Sequence, residues 1–235
     1  MKYWWRELFG RKPRLEETQR TRLRQWRELP AVDLRQPMAA MRCVVLDVES
    51  TGLSLSHDRL ISIGAVALVN GKIALGDSFY VVLKQEAASD RHNILVHGIG
   101  VAEQREGEAP AEALLSFLDY LGKDPLVAFH VAFDRSMIRR AMSDYLGCNF
   151  RHPWLDLAYV MPGLNPPLAK KLRALDDWIG HVGIHIESRH HALADALATA
   201  QLLQVALQQA RAHHLDTYAQ LCDLEKAQRW ASHIP

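Results

Sequence analysis

The dipeptide Asn70-Gly71 joins two β-rich runs, "RLISIGAVALVN" at 59–70 and "GKIALGDSFYVVL" at 71–83. Asparagine and glycine tolerate the positive φ of a two-residue hairpin turn, so the stretch predicts a pair of antiparallel strands. A third run, "RCVVLDVE" at 42–49, precedes the pair. Downstream the pattern changes. Helices are expected from about Pro110 to Leu121, from Asp134 to about Leu146, around Leu172 to Ile179 and from about Ala192 to Arg211, with one short strand, "LVAF", at 126–129. Strands first, then strands alternating with helices, predict an α/β domain with a mixed sheet.

With 235 residues, 49% of them hydrophobic, the chain can bury one core and carry an appendage. The division expected is a basic, Trp-rich helical extension and linker over 1–37, a main domain over 38–215 and a C-terminal helical tail over 216–235. Cys43, Cys148 and Cys222 lie far apart without a CxxC pair, so neither a zinc site nor a disulfide framework is indicated, and a reducing compartment fits. No apolar run approaches the roughly 18 to 20 residues of a membrane span, and the basic N-terminus lacks a signal peptide's apolar core. The cytoplasm is the expected location.

The net charge of +1 conceals an asymmetry, because residues 1–35 carry 10 Lys or Arg against 5 Asp or Glu and the remainder carries 18 against 22. A basic head on a mildly acidic body marks the head as the part most suited to an anionic partner. Three readings of it stand together: Trp4, Trp5, Leu8, Phe9 and Trp26 pack on the body, or arginines and tryptophans grip nucleic acid, or the helix docks a partner protein.

The acids carry the chemistry. Asp47 and Glu49 lie two apart on a strand, so both project from one face and repel unless a cation stands between them; the pair reads either as half of a divalent-metal site or as a strand end solvated in a polar turn. Asp134, in "VAFHVAFDRSMIRRAM", falls where a strand gives way to a helix and reads on its own as a cap. Asp195 sits inside an alanine-rich helix, a position where Asp is a poor helix former. Its neighbours Ala192, Ala194 and Ala196 would let that helix lie close to a sheet, and a carboxylate buried there calls for something cationic beside it; a solvated surface Asp is the competing reading.

The ordered set "DVESTGL", "HVAFD" and "HHALAD", with "VHGIG" at 96–100, resembles the DEDDh exonucleases, the group that includes the proofreading epsilon subunit of bacterial replicative polymerase. The resemblance covers roughly residues 40 to 210. It implies a ribonuclease H-like fold, with the N-terminal helical extension added, and removal of nucleotides from 3′ ends with two divalent ions, Mg2+ or Mn2+. It also implies that Asp47, Glu49, Asp134 and Asp195 are the metal-binding carboxylates and His190 the general base. Hard cations prefer carboxylate and water oxygens, and two of them suit an in-line phosphoryl displacement. Helical geometry on its own favours His191, four residues before Asp195, whereas the spacing of the family selects His190.

The same resemblance points to Thr51, Gly52 and Leu53 as a seat for the terminal nucleotide, with His97 and Phe133 as further contacts. Many relatives have His-Asn where this chain has Phe129-His130, so His130 either donates a hydrogen bond to substrate or packs on the strand. Asp156 is expected to order the turn or helix that follows it. The function expected is a metal-dependent 3′-to-5′ exonuclease acting on the 3′ ends of single-stranded DNA, RNA or short oligonucleotides. The alternative is a nuclease-fold protein that binds nucleic acid or a polymerase-like partner with little catalysis.

Overall fold

The computed structural model describes residues 13–186 and 189–232, so Trp4, Trp5, Leu8 and Phe9 of the head lie outside the described residues. Strands β1 (Arg42–Ser50), β2 (Leu60–Val69) and β3 (Lys72–Val82) form an antiparallel meander. Asn70 and Gly71 close the hairpin between β2 and β3 with φ of 55° and 73°, the left-handed pair that the dipeptide predicts. On its other edge β1 pairs in parallel with β4 (Leu126–Ala128), which pairs in parallel with β5 (Trp154–Asp156). The result is a mixed five-stranded sheet of order β3-β2-β1-β4-β5.

Both faces of β1 are covered, which explains why its sequence is an apolar run rather than an alternation. Val44, Leu46 and Val48 join one core cluster with α4 (Pro110–Leu121) and α5 (Val131–Leu146). Cys43 and Val45 face the other way, into a cluster with α6 (Leu157–Leu164), α7 (Leu175–Val182) and α8 (Ala192–Ala212). Asp47 and Glu49 continue that second face, so the strand delivers its acids to the side on which α8 lies.

Gly64 on β2 is the register partner of Asp47. A Cβ there would stand 2.2 Å from the Leu193 backbone nitrogen and 2.3 Å from the Ala192 carbonyl carbon. The bare glycine therefore lets the first turn of α8 rest directly on the sheet beside Asp47, the close approach that the small residues around Asp195 predict.

Two boundaries differ from expectation. Helix α5 starts at Val131, so Asp134 lies inside its first turn and is no cap; His130 takes the N-cap position in a left-handed conformation, φ 65° and ψ 51°. Helix α7 begins at Leu175 rather than near Leu172 and ends at Val182 rather than Ile179. The short helices α2 (Arg91–His97) and α3 (Val101–Glu106) are additions to the expected elements, as are β5 and α6.

The first and last of the described helices pack on the body. Helix α1 (Glu17–Glu28) lies on α4, with Leu23 and Trp26 buried. The Trp26 indole donates to the Gly122 carbonyl at 2.7 Å, and Arg22 pairs with Glu112 at 2.7 Å and with Asp119 at 2.6 Å. This is the packing reading of the head for its described part. Helix α9 (Tyr218–Ala231) packs on α6 and β5, with Tyr218 and Leu221 fully buried and the Tyr218 hydroxyl donating to the Leu126 carbonyl at 2.7 Å. The tail expected from 216 thus shares the core of the main domain. Among the described residues no helix is long and apolar enough to cross a membrane.

Candidate active site

Asp47 and Glu49 of β1 meet Asp195 of α8, and one carboxylate oxygen from each lies within 4.8 Å of the others. Three acids so close in a desolvated site cannot all stay charged without a cation. Burial pushes the Asp47 carboxyl well up, helped by Asp134, Glu49 and Asp195 and opposed by Arg189. Burial, with the charge of Asp195, pushes Glu49 up to about 7. Asp134 is also pushed up, chiefly by burial, while hydrogen bonds from backbone groups of α5 and Val48 hold it back. It stands at the edge of the group, a neighbour of Asp47 by charge and not a member of the tight three.

The cation expected beside Asp195 is Arg189. Its guanidinium contacts Asp195 Oδ1 and is tied on its other side to Asp176 at 2.6 Å. Sequence reasoning missed both Arg189 and Asp176, although the unpaired charge of Asp195 was a signal that such a partner exists. The donor set itself, hard oxygens without sulfur or a paired histidine, fits a divalent ion of the magnesium or manganese kind.

His190 and His191 part company at the start of α8. His190 has a left-handed backbone, φ 60°, and its N–H donates to Asp195 Oδ2 at 2.9 Å; it lines the cavity beside the acids. His191 is the extended N-cap residue, and its ring stacks on Tyr80 with centroids 4.9 Å apart.

The cavity, about 470 Å³, runs from the acids to a wall formed by Leu53, Val96, His97, Phe129, His130 and Phe133. Leu53 is 87% exposed and stands free at the rim. Gly52 also lines the cavity, but a Cβ there would meet the Asp58 carboxylate at 2.6 Å, so the glycine serves the fold of its own loop first. Thr51 does the same: its hydroxyl donates to Asp58 at 2.8 Å and accepts from the Arg59 N–H at 2.9 Å. The loop thus presents Leu53 and uses Thr51 to hold it there.

His97 is buried, with Nδ1 accepting from the Ile99 N–H at 3.0 Å and Nε2 in contact with the Ser89 hydroxyl at 3.1 Å. Burial pulls its pKa down, and both ring nitrogens are engaged within the protein, so it serves as a wall residue. His130 is exposed, and its ring sits edge-on to Phe129 with 4.8 Å between centroids, so it packs on its neighbour while facing the cavity. Asp156 orders the turn into α6, accepting from the Ala158 N–H at 3.1 Å, and it also accepts from the His130 N–H at 3.0 Å.

A mixed sheet of this order, with acids from its central strand, a helix start and a returning helix gathered at one end, is a ribonuclease H-like fold. Residues 44–203 match the model of the exonuclease family RNase_T. Among curated relatives, a DNA polymerase III PolC-type protein of Clostridium perfringens is 32% identical over 176 residues, 72% of this chain and 11% of that protein. A DNA polymerase III subunit epsilon-like protein of Rhodobacter capsulatus is 32% identical over 188 residues, 77% of this chain and 26% of that protein. The chain spans only a small part of these relatives. The fold superposes on E. coli exonuclease I in complex with a dT13 oligonucleotide with a TM-score of 0.62 at 18% identity, covering 74% of this chain and 42% of that one. The chain belongs to the exonuclease family, in its DEDDh-type 3′-to-5′ branch.

Proposed function

We propose that the protein removes nucleotides from the 3′ ends of single-stranded DNA, RNA or short oligonucleotides, with two divalent ions held by Asp47, Glu49, Asp134 and Asp195 and with His190 as general base. The observation that carries this reading is the meeting of Asp47, Glu49 and Asp195 within 4.8 Å, beside an open cavity. Bound there, Mg2+ or Mn2+ would supply Lewis acidity toward a phosphate and a water acidified at neutral pH.

The chain's own residues do the rest. An imidazole is the side chain best suited to take a proton from water at neutral pH, and the backbone tie of His190 to Asp195 keeps it over the acids. Leu53 offers an apolar surface to the terminal base, with the Gly52 backbone lining the cavity beside it and the Thr51–Asp58 contact fixing the loop. Phe133, His130 and His97 shape the wall behind it. The oligonucleotide in the exonuclease I complex supports a single-stranded substrate. Relatives named as polymerase components support a site of action beside replication and a cytoplasmic location.

The test is the purified chain with 5′-labelled DNA and RNA strands and Mg2+ or Mn2+, with Asp47→Ala as control. A ladder that shortens from the 3′ end and disappears with EDTA and in the variant is the expected result. Binding without products under every condition would instead favour a nuclease-fold binding protein.

A further inference from the structure

Helix α9 lies beyond residue 203, where the family match ends, yet it reaches the back of the site. The connection runs through Asp156. The Asp156 side chain is 2% exposed, and Oδ1 accepts from the His130 N–H at 3.0 Å and from the Ala158 N–H at 3.1 Å. From α9, Glu225 Oε2 accepts from the Asp156 N–H at 3.0 Å. Arg229 approaches Asp156 Oδ2 at 3.4 Å, pairs with Glu225 Oε1 at 2.8 Å, and lies over the Tyr159 ring at 4.1 Å.

His130 is what this arrangement holds. It is a non-glycine residue at φ 65°, a conformation that costs energy and persists only where its surroundings over-determine it. It is also the N-cap of α5, so its backbone decides where the first turn of that helix, and Asp134 within it, points. The Asp156 carboxylate holds the His130 N–H, and Arg229 approaches its other oxygen at 3.4 Å, so the arginine fixes the carboxylate and Glu225 the Asp156 N–H from behind while the His130 and Ala158 N–H groups fix the carboxylate in front.

We propose that Glu225 and Arg229 are positioning residues, which act through Asp156 and the His130 junction to set the placement of Asp134 in the exonuclease site. The proposal rests on the function inferred above for that site. It assigns to α9 a part in the chemistry although, among the described residues, none of α9 lines the cavity.

The test uses the full chain in a double-mutant cycle of Arg229→Ala and Asp156→Asn, with Arg229→Lys as the conservative variant. The amide introduced by Asp156→Asn would keep an oxygen for the His130 N–H and remove the second oxygen that Arg229 approaches. Arg229→Ala is expected to lower kcat about tenfold or more with KM within about twofold, as loss of a partner behind a metal ligand commonly does. Arg229→Lys should restore most of the rate, and Arg229→Ala should have no further effect on top of Asp156→Asn. Hydrogen exchange at the His130 amide, read by mass spectrometry on peptides spanning 126–134, gives a measure that needs no activity. It should quicken in Arg229→Ala and return in Arg229→Lys, at a temperature well below the melting point of each variant. An unchanged exchange rate at His130 in folded Arg229→Ala overturns the proposal, as does a kcat equal to the parent's. An inactive parent with the expected exchange result would overturn the function and leave the positioning role standing.

Discussion

The His191 ring lies on the Tyr80 ring, 4.9 Å between centroids and 21° between planes, while the preceding His190 turns into the acidic cavity. The positive φ of His190 makes this divergence, because it reverses the chain immediately before α8 begins. His190→Ala should therefore lower kcat by about a hundredfold or more, the scale of a lost general base. His191→Ala should keep most of the activity and lose a little stability with its stacking contact. Steady-state rates on a labelled single strand decide between them, and the reverse order of losses would sink the assignment.

Gly64→Ala should be among the most damaging single-methyl changes in the chain. The new carbon would meet backbone atoms of Ala192 and Leu193, which have no rotamer to retreat into. Overpacking of this kind costs about 1 to 3 kcal/mol or more. Because α8 would have to lift from β2, Asp195 would also move away from Asp47. A lowered melting temperature with weakened Mn2+ binding by calorimetry is the expected pair of results; normal Mn2+ affinity would show that the close approach does not set the site.

The raised carboxylates make the metal-free protein sensitive to pH in a definite direction. Glu49 is pushed from 4.5 up to about 7 when folded, so over that interval the native state holds a proton that the unfolded chain has released. Its contribution to stability is complete below the unfolded value and is lost as pH rises through about 7; Asp47 and Asp134 act in the same direction. His97 and His152, lowered by burial, work the opposite way as pH falls, so the cluster must be isolated by difference. Melting curves with EDTA, compared between the parent and Glu49→Gln at about pH 5.5 and about pH 8, should show the parent losing more on going to the higher pH. Added Mn2+ should raise the melting temperature of the parent more at the higher pH, since the ligands must be deprotonated to bind.

The head supplies a stability prediction. Trp26→Ala removes a buried indole that donates to Gly122 and carries Lys123 at 3.5 Å over its face. A cost of about 3 to 5 kcal/mol is expected from the lost packing, measured by denaturant unfolding. Deleting residues 1–35 would expose the apolar face of α4, and aggregation on size-exclusion chromatography is the result expected.

What could be read from the sequence was whatever local pattern determines. The Asn70-Gly71 hairpin, the apolar runs of β1 and β2 and the alanine-rich α8 follow from turn chemistry and side-chain period. The four acids follow from three ordered motifs, and three of those acids do meet. Three-residue strands such as Trp154–Asp156 have too few residues to show a period, and their pairing comes from the sheet alone. The start of α5 is hidden because nothing local announces a left-handed His130, although histidine is among the residues that tolerate it. The histidine pair is ambiguous for a related reason: helical spacing assumes that the helix extends back through both residues, and here it begins after them. Arg189 escapes notice because the partner of a buried charge is chosen by tertiary structure.

That arginine carries the last prediction. Arg189 contacts the same Asp195 carboxylate whose oxygen stands among the possible metal ligands, and Asp176 holds its other edge at 2.6 Å. Without a metal this is a favourable arrangement, since a buried carboxylate obtains a counter-charge. With a divalent ion competing for Asp195, the same contact opposes binding, both by occupying an oxygen and by repulsion between cations. A hydrogen bond between charged groups is worth about 1.5 kcal/mol or more, about tenfold in a binding constant. Arg189→Gln should therefore bind Mn2+ about tenfold more tightly than the parent in calorimetric titration. Asp176→Asn, which frees Arg189 to commit fully to Asp195, should bind it more weakly. Unchanged affinity in both variants would mean that the arginine leaves Asp195 without cost, and the reverse order would mean that it helps to hold the ion's ligands in place.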